Sequence, residues 1–506
     1  MKKASTFEKI AARCWNVLNE GKPFTPVFVT GIFLLYHWES WGLSSFWADA
    51  ALALLWTLPL LAVYFLYDFP LRLRFFLWLP LLAACALFAQ AGVWPLIWLA
   101  IGMYFFFTVI FWGTIYYHLR IGTTLWNFTR FWKLVLKNSD STSGNAQEQI
   151  PKFLTVLLVM EWCCRSAAEA GIAGPGLAPL LFAAAVGVYA FLIHRWLFTW
   201  KPVEIPAYTH NVQPSKPLAS KVYMIVIDGC NKDRLAQAKT PFLDWLKQTG
   251  TEYANMETVY PARTVVCFSS MFTGTYPREH GITSNMVYKL GVRTESLFDS
   301  LRKIGKKGVM LACAHLIDAF GEDVETFTAV MKNDVADPTI MRRARQIVEE
   351  SDPDVLIVQL IATDQTGHSR GVFYDEYLEK IAEADALIAS FYEWLRERGK
   401  LEKAAFIVCA DHGQSDGIGG HGHLDEGERF VPFIMHGPMI KQGAVVREWN
   451  SLVSVAPTIA YLMGAPYPDK SRGPVLVDAL RTQGYDTGEN IHEAAGPSIH
   501  CDTGKK

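Results

Sequence analysis

The feature that most constrains this chain is a change of character near Trp200. Residues before it are dominated by Leu, Phe, Trp and Ala, and those after it have ordinary globular composition. A helix that crosses a bilayer needs roughly 20 mostly apolar residues. Trp47–Asp68, Phe75–Val93, Trp94–Tyr117 and Leu177–Trp200 meet that requirement. Pro26–Trp38 is short, and Phe153–Ala173 carries Glu161, Arg165 and Glu169, which are costly in lipid unless paired or turned to a bundle interior. Glu161 and Arg165 are spaced to form an (i, i+4) helix pair, the alternative being a polar contact with a lipid head group. The apolar segments are too many and too long for a cleaved leader. They predict an all-α transmembrane domain of about six spans over residues 1–201, in a multi-pass cell membrane protein.

Charge orients the spans. Lys2, Lys3, Lys9, Arg13 and Lys22 precede the first; Arg72 and Arg74 flank one loop, and Arg120, Arg130, Lys133, Lys137 and Lys152 flank another. Two clear spans separate those loops, so both face one side, expected to be the cytoplasm. If Pro26–Trp38 and Phe153–Ala173 both span, the second half of the chain is cytoplasmic. If Phe153–Ala173 only dips into the membrane, that half lies outside. Net charge is −2, which offers no broad basic field and predicts no nucleic-acid partner. The nine cysteines are scattered without a CxxC pair, against a disulfide framework and in keeping with a reducing compartment.

Residues 202–217 are polar and proline-bearing, and read as a linker to a soluble domain over 218–480; 481–506 reads as a flexible tail. Within 218–480, Val222–Ile227, Gly308–Ala314, Val355–Leu360 and Phe406–Ala410 are short apolar runs with strand character. Helical patterns lie between and after them, at Thr240–Gln248, Arg293–Ile304, Thr339–Glu350, Tyr374–Arg398 and Val453–Leu462. Strands alternating with helices predict an α/β fold with a largely parallel central sheet flanked by helices.

Three of these strands lead into an aspartate: Asp228, Asp364 and Asp411. His412 follows the last directly and His368 follows Asp364 by four residues. A single Asp after a strand is usually a turn former or a cap. Three such ends with two histidines can converge, because the carboxyl ends of parallel strands lie side by side. The acids would repel one another unless divalent cations removed the cost. His421, in a glycine-rich loop, can complete the ligand set, with His423 competing for that place. Upstream, Thr264 follows Pro261-Ala262-Arg263 and opens a helical run. A helix N-terminus suits a phosphate, and a hydroxyl there can attack one. Equally, Thr264 can be only an N-cap.

These motifs together resemble the alkaline phosphatase superfamily, nearest its nucleotide pyrophosphatase/phosphodiesterase branch. The strand ending at Asp228, PxxT ending at Thr264, TGTYPREHGI, DQTGH, ADHG and GGHG carry the resemblance, with VAPTIAYLMGAPYPD at the end. It covers about Lys221 to Leu476 and does not explain the membrane half. It implies two zinc ions, one held by Asp364, His368 and His421, the other by Asp228, Asp411, His412 and the Thr264 oxygen. It implies Thr264 as nucleophile and a phosphate-ester substrate, with manganese also compatible with these ligand types. Where that branch commonly has an asparagine three residues after the nucleophile, this chain has Cys267, a poor donor. Arg263 can supply the missing donor or stand as a surface residue near the mouth. Substrate class therefore stays open between diester and monoester. A multi-span domain exceeds what anchoring needs, so a lipid or lipid-linked substrate is expected. Transfer of phosphoethanolamine or phosphoglycerol, and a non-catalytic sensor or transport protein, are the alternatives.

Overall fold

The computed structural model describes residues 23–481, apart from 68, 70, 91, 117, 119–123, 130–145, 172–173, 198–201, 214–215, 286–289, 328–331, 416–419 and 423–424. The expected tail beyond Arg481, His423 and the basic loop from Arg120 to Lys137, except residues 124–129, thus lie outside the described residues.

The first half holds helices α1 (Phe24–Tyr36), α2 (Ser44–Leu66), α3 (Trp78–Phe88), α4 (Trp94–Phe105), α5 (Ala146–Ala170) and α6 (Ala178–Trp196). A tight turn, Leu71–Leu77, precedes α3, and α4 runs on into a wider helix, Phe106–Tyr116. Among the described residues, three helices are long and apolar enough to cross a membrane: Ser44–Leu66, Trp94–Ile115 and Ala178–Trp196. Phe24–Tyr36 and Leu73–Phe88 are shorter apolar helices.

The most polar of these helices is the most enclosed. Along α5, Pro151 to Glu161 is buried without a break, packed among α1, α2 and α3. Four of its charges, Glu148, Lys152, Glu161 and Arg165, find partners in the bundle, and Glu169 is exposed near its end. Glu161 lies 2.7 Å from Arg165 Nε and 2.8 Å from His37 Nε2, and Glu148 lies 2.5 Å from Lys152 Nζ and 3.7 Å from Arg74 Nε. The (i, i+4) pair foreseen between Glu161 and Arg165 is therefore present, with His37 as a second partner.

The helices alternate in direction. α1 starts where Thr25 Oγ1 donates to Gln149 Oε1 and ends at His37 beside Glu161. α2 returns from Phe46, whose ring lies 5.5 Å from that of His37, to Tyr64, whose ring faces Lys152. Arg74 near Glu148 leads into α3, which ends with Phe88 against Trp162 and Phe182. α6 then runs from Phe182 to His194, which packs on Tyr67 and Phe69. Arg74, Lys152 and His194 thus share one end of the bundle.

The second half is an α/β domain around a mixed, mostly parallel sheet of nine strands: β1 (Lys221–Ile227), β2 (Thr251–Glu257), β3 (Gly308–Cys313), β4 (Val324–Phe327), β5 (Val355–Leu360), β6 (Ala404–Cys409), β7 (Phe430–Val431), β8 (Phe433–His436) and β9 (Ala444–Ser451). The order is β4-β3-β5-β1-β6-β8-β2-β7, with β9 on β2. β1, β5 and β6 are buried on both faces, as continuous apolar runs in a helix-covered parallel sheet must be. Helices α7 (Pro241–Thr249), α8 (Thr264–Thr273), α9 (Leu297–Arg302), α10 (Asn333–Ser351), α11 (Ala362–Arg370), α12 (Asp375–Glu397) and α13 (Val455–Met463) flank it.

Register sets up the site. Ile227 pairs with Leu360, and Val226 with Cys409. Asp228, the start of α11 and Asp411 therefore leave the sheet side by side at its carboxyl edge. Residues 202–213, expected as a linker, are laid along this domain instead. Ile205 N donates to Tyr276 Oη at 2.9 Å, and Asn211 exchanges two 2.9 Å bonds with the Val475 backbone. Tyr467 Oη donates to Val212 O at 2.9 Å. Side-chain bonds to backbone groups make a strap out of this polar, proline-bearing stretch.

Candidate metal centre and nucleophile

Two groups of possible ligands form at the carboxyl edge: Asp364, His368 and His421, and Asp228, Asp411 and His412, the ligand atoms of each lying within 4.8 Å of one another. Asp364 and His368 come from one turn of α11 rather than from a loop, so the (i, i+4) spacing aims both the same way. His368 Nε2 lies 3.1 Å from Asp364 Oδ2, and His421 Nε2 lies 3.7 Å from Asp364 Oδ1. In the other group, His412 Nε2 lies 3.5 Å from Asp228 Oδ1 and 3.4 Å from Asp411 Oδ2. The rings of His412 and His421 stack at 3.8 Å, so the groups adjoin.

Backbone carbonyls select the tautomers. His412 Nδ1 meets Gly413 O at 2.9 Å, and His421 Nδ1 meets Ala262 O at 2.7 Å. A carbonyl only accepts, so each Nδ1 carries the proton and each Nε2 lone pair faces the acids, the usual arrangement of a metal-ligating histidine. Gly229 has φ 64°, and a Cβ there would press into the Asp364 carboxylate. Its N–H donates to Asp411 Oδ1 at 3.2 Å.

The electrostatics are strained without a cation. Burial pushes the Asp228 carboxyl well above the usual range, and the Asp411 and Asp364 charges push it further. Burial also raises Asp411 more than His412 lowers it. Asp364, equally buried, is held low because the imidazoles of His368, His421 and His412 outweigh burial. Burial pushes the His421 imidazole well down. Asp228 Oδ1 and Asp411 Oδ2 are buried without a hydrogen-bond partner. Carboxylate oxygens and imidazole nitrogens left in this state fit a divalent metal of the zinc or manganese type in each group.

Thr264 is the first residue of α8, buried, with Oγ1 3.3 Å from His412 Nε2. Its side chain thus faces the second group. The N-cap is Arg263, a half-buried residue whose side chain runs along Gly422, next to His421. Cys267 is fully buried, and its sulfur takes a hydrogen bond from Thr258 Oγ1 at 3.2 Å. It is a core residue and leaves no gap in the site. Ser269 and Thr273 bond back to carbonyls of their own helix, and Ser270 pairs with His280, so none is a second nucleophile.

Three polar residues at the site were not foreseen. Asn285 Oδ1 accepts from Val265 N at 2.9 Å, which fixes its carboxamide at the mouth of α8 and leaves its NH2 as a donor there. Gln359 Nε2 donates to Asp228 Oδ2 at 2.6 Å, and Gln414 Nε2 donates to Asp364 Oδ1 at 2.9 Å. A glutamine inside the apolar run of β5 was a readable signal. Asn285 had none, since the loop that delivers it is remote in sequence.

Residues 222–304 and 311–459 match the family described as type I phosphodiesterase / nucleotide pyrophosphatase. The human GPI ethanolamine phosphate transferase 2, catalytic subunit, is 24% identical over 275 residues, 51% of this chain and 28% of that protein. Venom phosphodiesterase 2 of Crotalus adamanteus is 26% identical over 196 residues, 35% of this chain and 24% of that protein. The chain therefore spans less than a third of the length of either relative. Among solved structures, wild-type alkaline phosphatase PafA matches with a TM-score of 0.46 at 13% identity, over 53% of this chain and 100% of that one. Murine ectonucleotide pyrophosphatase / phosphodiesterase 5 matches with a TM-score of 0.43 at 13% identity, over 49% of this chain and 96% of that one. The match to the type I phosphodiesterase / nucleotide pyrophosphatase family thus runs through the α/β domain, from residue 222 to residue 459.

Proposed function

We propose that this protein is a membrane-anchored, two-metal phosphohydrolase that cleaves a phosphodiester or pyrophosphate bond of a lipid or lipid-linked substrate through Thr264. The observation that carries the reading is the placement of the Thr264 hydroxyl at a helix N-terminus, 3.3 Å from His412 and beside two three-ligand groups. Metals bound there, zinc as the first choice, supply Lewis-acid stabilisation of oxygens on the phosphoryl group and lower the pKa of a bound hydroxyl. Asp364, His368 and His421 would hold one, and Asp228, Asp411, His412 and Thr264 the other. Thr264 attacks phosphorus and the ester oxygen leaves, forming a phosphothreonine that water then cleaves. The free N–H groups of α8 and the Asn285 carboxamide orient the phosphoryl oxygens, and Arg263 adds a cation at the mouth.

The helix directions and the charges at the helix ends support one orientation. α6 delivers the chain to the α/β domain at the bundle end that carries Arg74 and Lys152. The opposite connections, residues 37–43, 89–93 and 171–177, contain Glu39 and no Lys or Arg. This asymmetry supports a cytoplasmic α/β domain.

The human relative named for ethanolamine phosphate transfer favours a second reading, in which an acceptor alcohol replaces water in the second step. Hydrolysis of a nitrophenyl phosphate bis-ester against the monoester, with zinc and with Thr264→Ala alongside, tests the proposal. We expect preference for the bis-ester and a loss of about a thousandfold or more in the variant. Monoester preference would move the enzyme to phosphatase chemistry. Metal-loaded protein that turns over neither ester would favour transfer.

A further inference from the structure

We infer that the carboxyl edge of the catalytic sheet, the face that holds the metal centre, is a lipid-contacting surface seated on the leaflet beside the helical bundle. The inference rests on the membrane placement in the reading above and not on its chemistry. Four large apolar side chains stand out from this edge: Leu290 is 70% exposed, Phe373 59%, Val335 50% and Ile317 41%. Ile317 opens the turn after β3, Val335 lies in the first turn of α10 after β4, and Phe373 follows α11 after β5. Leu290 is fixed beside the Ile317 turn, because Gly291 N donates to Asp318 O at 2.8 Å and Val292 N to Ala319 O at 3.1 Å. β4, β3 and β5 are consecutive in the sheet. The four residues therefore line one flank of the metal centre, which sits over β5, β1 and β6.

The bundle stands on the other flank. Pro202 and Val203 share a cleft with Tyr260, Ala262 and Arg429. Pro202 follows the last residue of α6, Trp196, by six positions, which reach at most about 20 Å when extended. The membrane exit is thus held beside the loop that leads to Thr264. Arg74 of the bundle also lies within electrostatic reach of Tyr260 and Glu428. A face with membrane helices at one side and exposed apolar side chains at the other is turned toward the bilayer. Lipid is the occupant this geometry selects, since the bundle brings a bilayer to that side of the domain. Arg234 places its guanidinium 5.6 Å from the Phe373 ring, a cation beside an apolar group at the height of lipid head groups. An ester carried on a lipid of that leaflet would then reach Thr264 without leaving the membrane surface.

The test uses the full chain in nanodiscs of phosphatidylglycerol and phosphatidylcholine. A benzophenone amino acid is placed at Phe373 or Ile317, and in controls at Ile304 or Val445, which are exposed near the amino edge of the sheet. After irradiation, intact-protein mass should show a lipid adduct at 373 and 317 and none at 304 and 445. Equal adducts at all four positions, none at 373 and 317, or a protein–protein crosslink at 373 would overturn the inference. No turnover is read, so failure of the phosphodiesterase reading would leave this result standing.

Discussion

Gln359 shows how much of the site depends on single side chains away from the reacting atoms. It is wholly buried, accepting from Cys313 N at 2.8 Å while donating to Asp228. Gln359→Leu would leave Asp228 without its orienting donor. We expect a loss of roughly 10- to 100-fold in metal affinity, read as metal retained on dialysis against a chelator series. Retention equal to the parent protein would remove Gln359 from the site. His280 sets an acid limit instead. Burial pushes its imidazole down to about 3 from 6.5. Ile282 N donates to Nδ1 at 3.1 Å, so the proton sits on Nε2 and faces Ser270 Oγ at 2.9 Å. Because the folded value is the lower one, the unfolded chain binds the extra proton. The ring's contribution to stability is complete above 6.5 and is lost as pH falls toward 3. Between pH 7 and pH 5 the loss is about 2 kcal/mol, visible as a lower urea midpoint. In His280→Asn that part of the pH dependence should vanish.

Elements were legible where local pattern and tertiary environment agree. β1, β3, β5 and β6 are apolar runs that the sheet buries, and each lies within two residues of its expected bounds. β2, β4, β7, β8 and β9 were not seen. Thr251–Glu257 carries Glu252, Asn255 and Glu257, and becomes a strand by pairing with β8 and β9 rather than by apolar content. α10 begins at Asn333, earlier than expected, and carries Pro338 in its second turn, where the ring removes one i→i−4 bond without ending the helix. That the Asp and His side chains gather at one sheet edge was readable because they follow strand ends; the donors around them are scattered and appear only in three dimensions. Asp385 is such a case. From α12 it accepts Leu243 N at 2.8 Å and Phe242 N at 3.2 Å, capping α7 from another helix. Asp385→Ala should cost about 1–2 kcal/mol by chemical denaturation. An unchanged midpoint would mean that solvent replaces the cap.

At the scale of the whole molecule, the orientation in the membrane decides which chemistry is available to the site. α5 was the doubtful span, and its enclosure between α1, α2 and α3 makes it the post around which the other helices alternate. With α5 in place, the start of α1 and the end of α6 fall on one side, together with Arg74 and Lys152. A fluorescent protein fused after Arg481 should therefore fold and fluoresce in the cytoplasm. A phosphatase reporter that is active only outside should be active when inserted at Gly92, in the opposite connection. The reverse pattern would place the metal centre outside. In that case the second step would most simply use an acceptor on an exported lipid or glycan, and the transferase reading would take precedence over hydrolysis. With the expected pattern, the substrate must be a phosphate ester reachable from the cytoplasmic leaflet. That requirement and the apolar rim at Leu290 and Phe373 point to the same source, since both are met by an ester carried on a lipid of that leaflet.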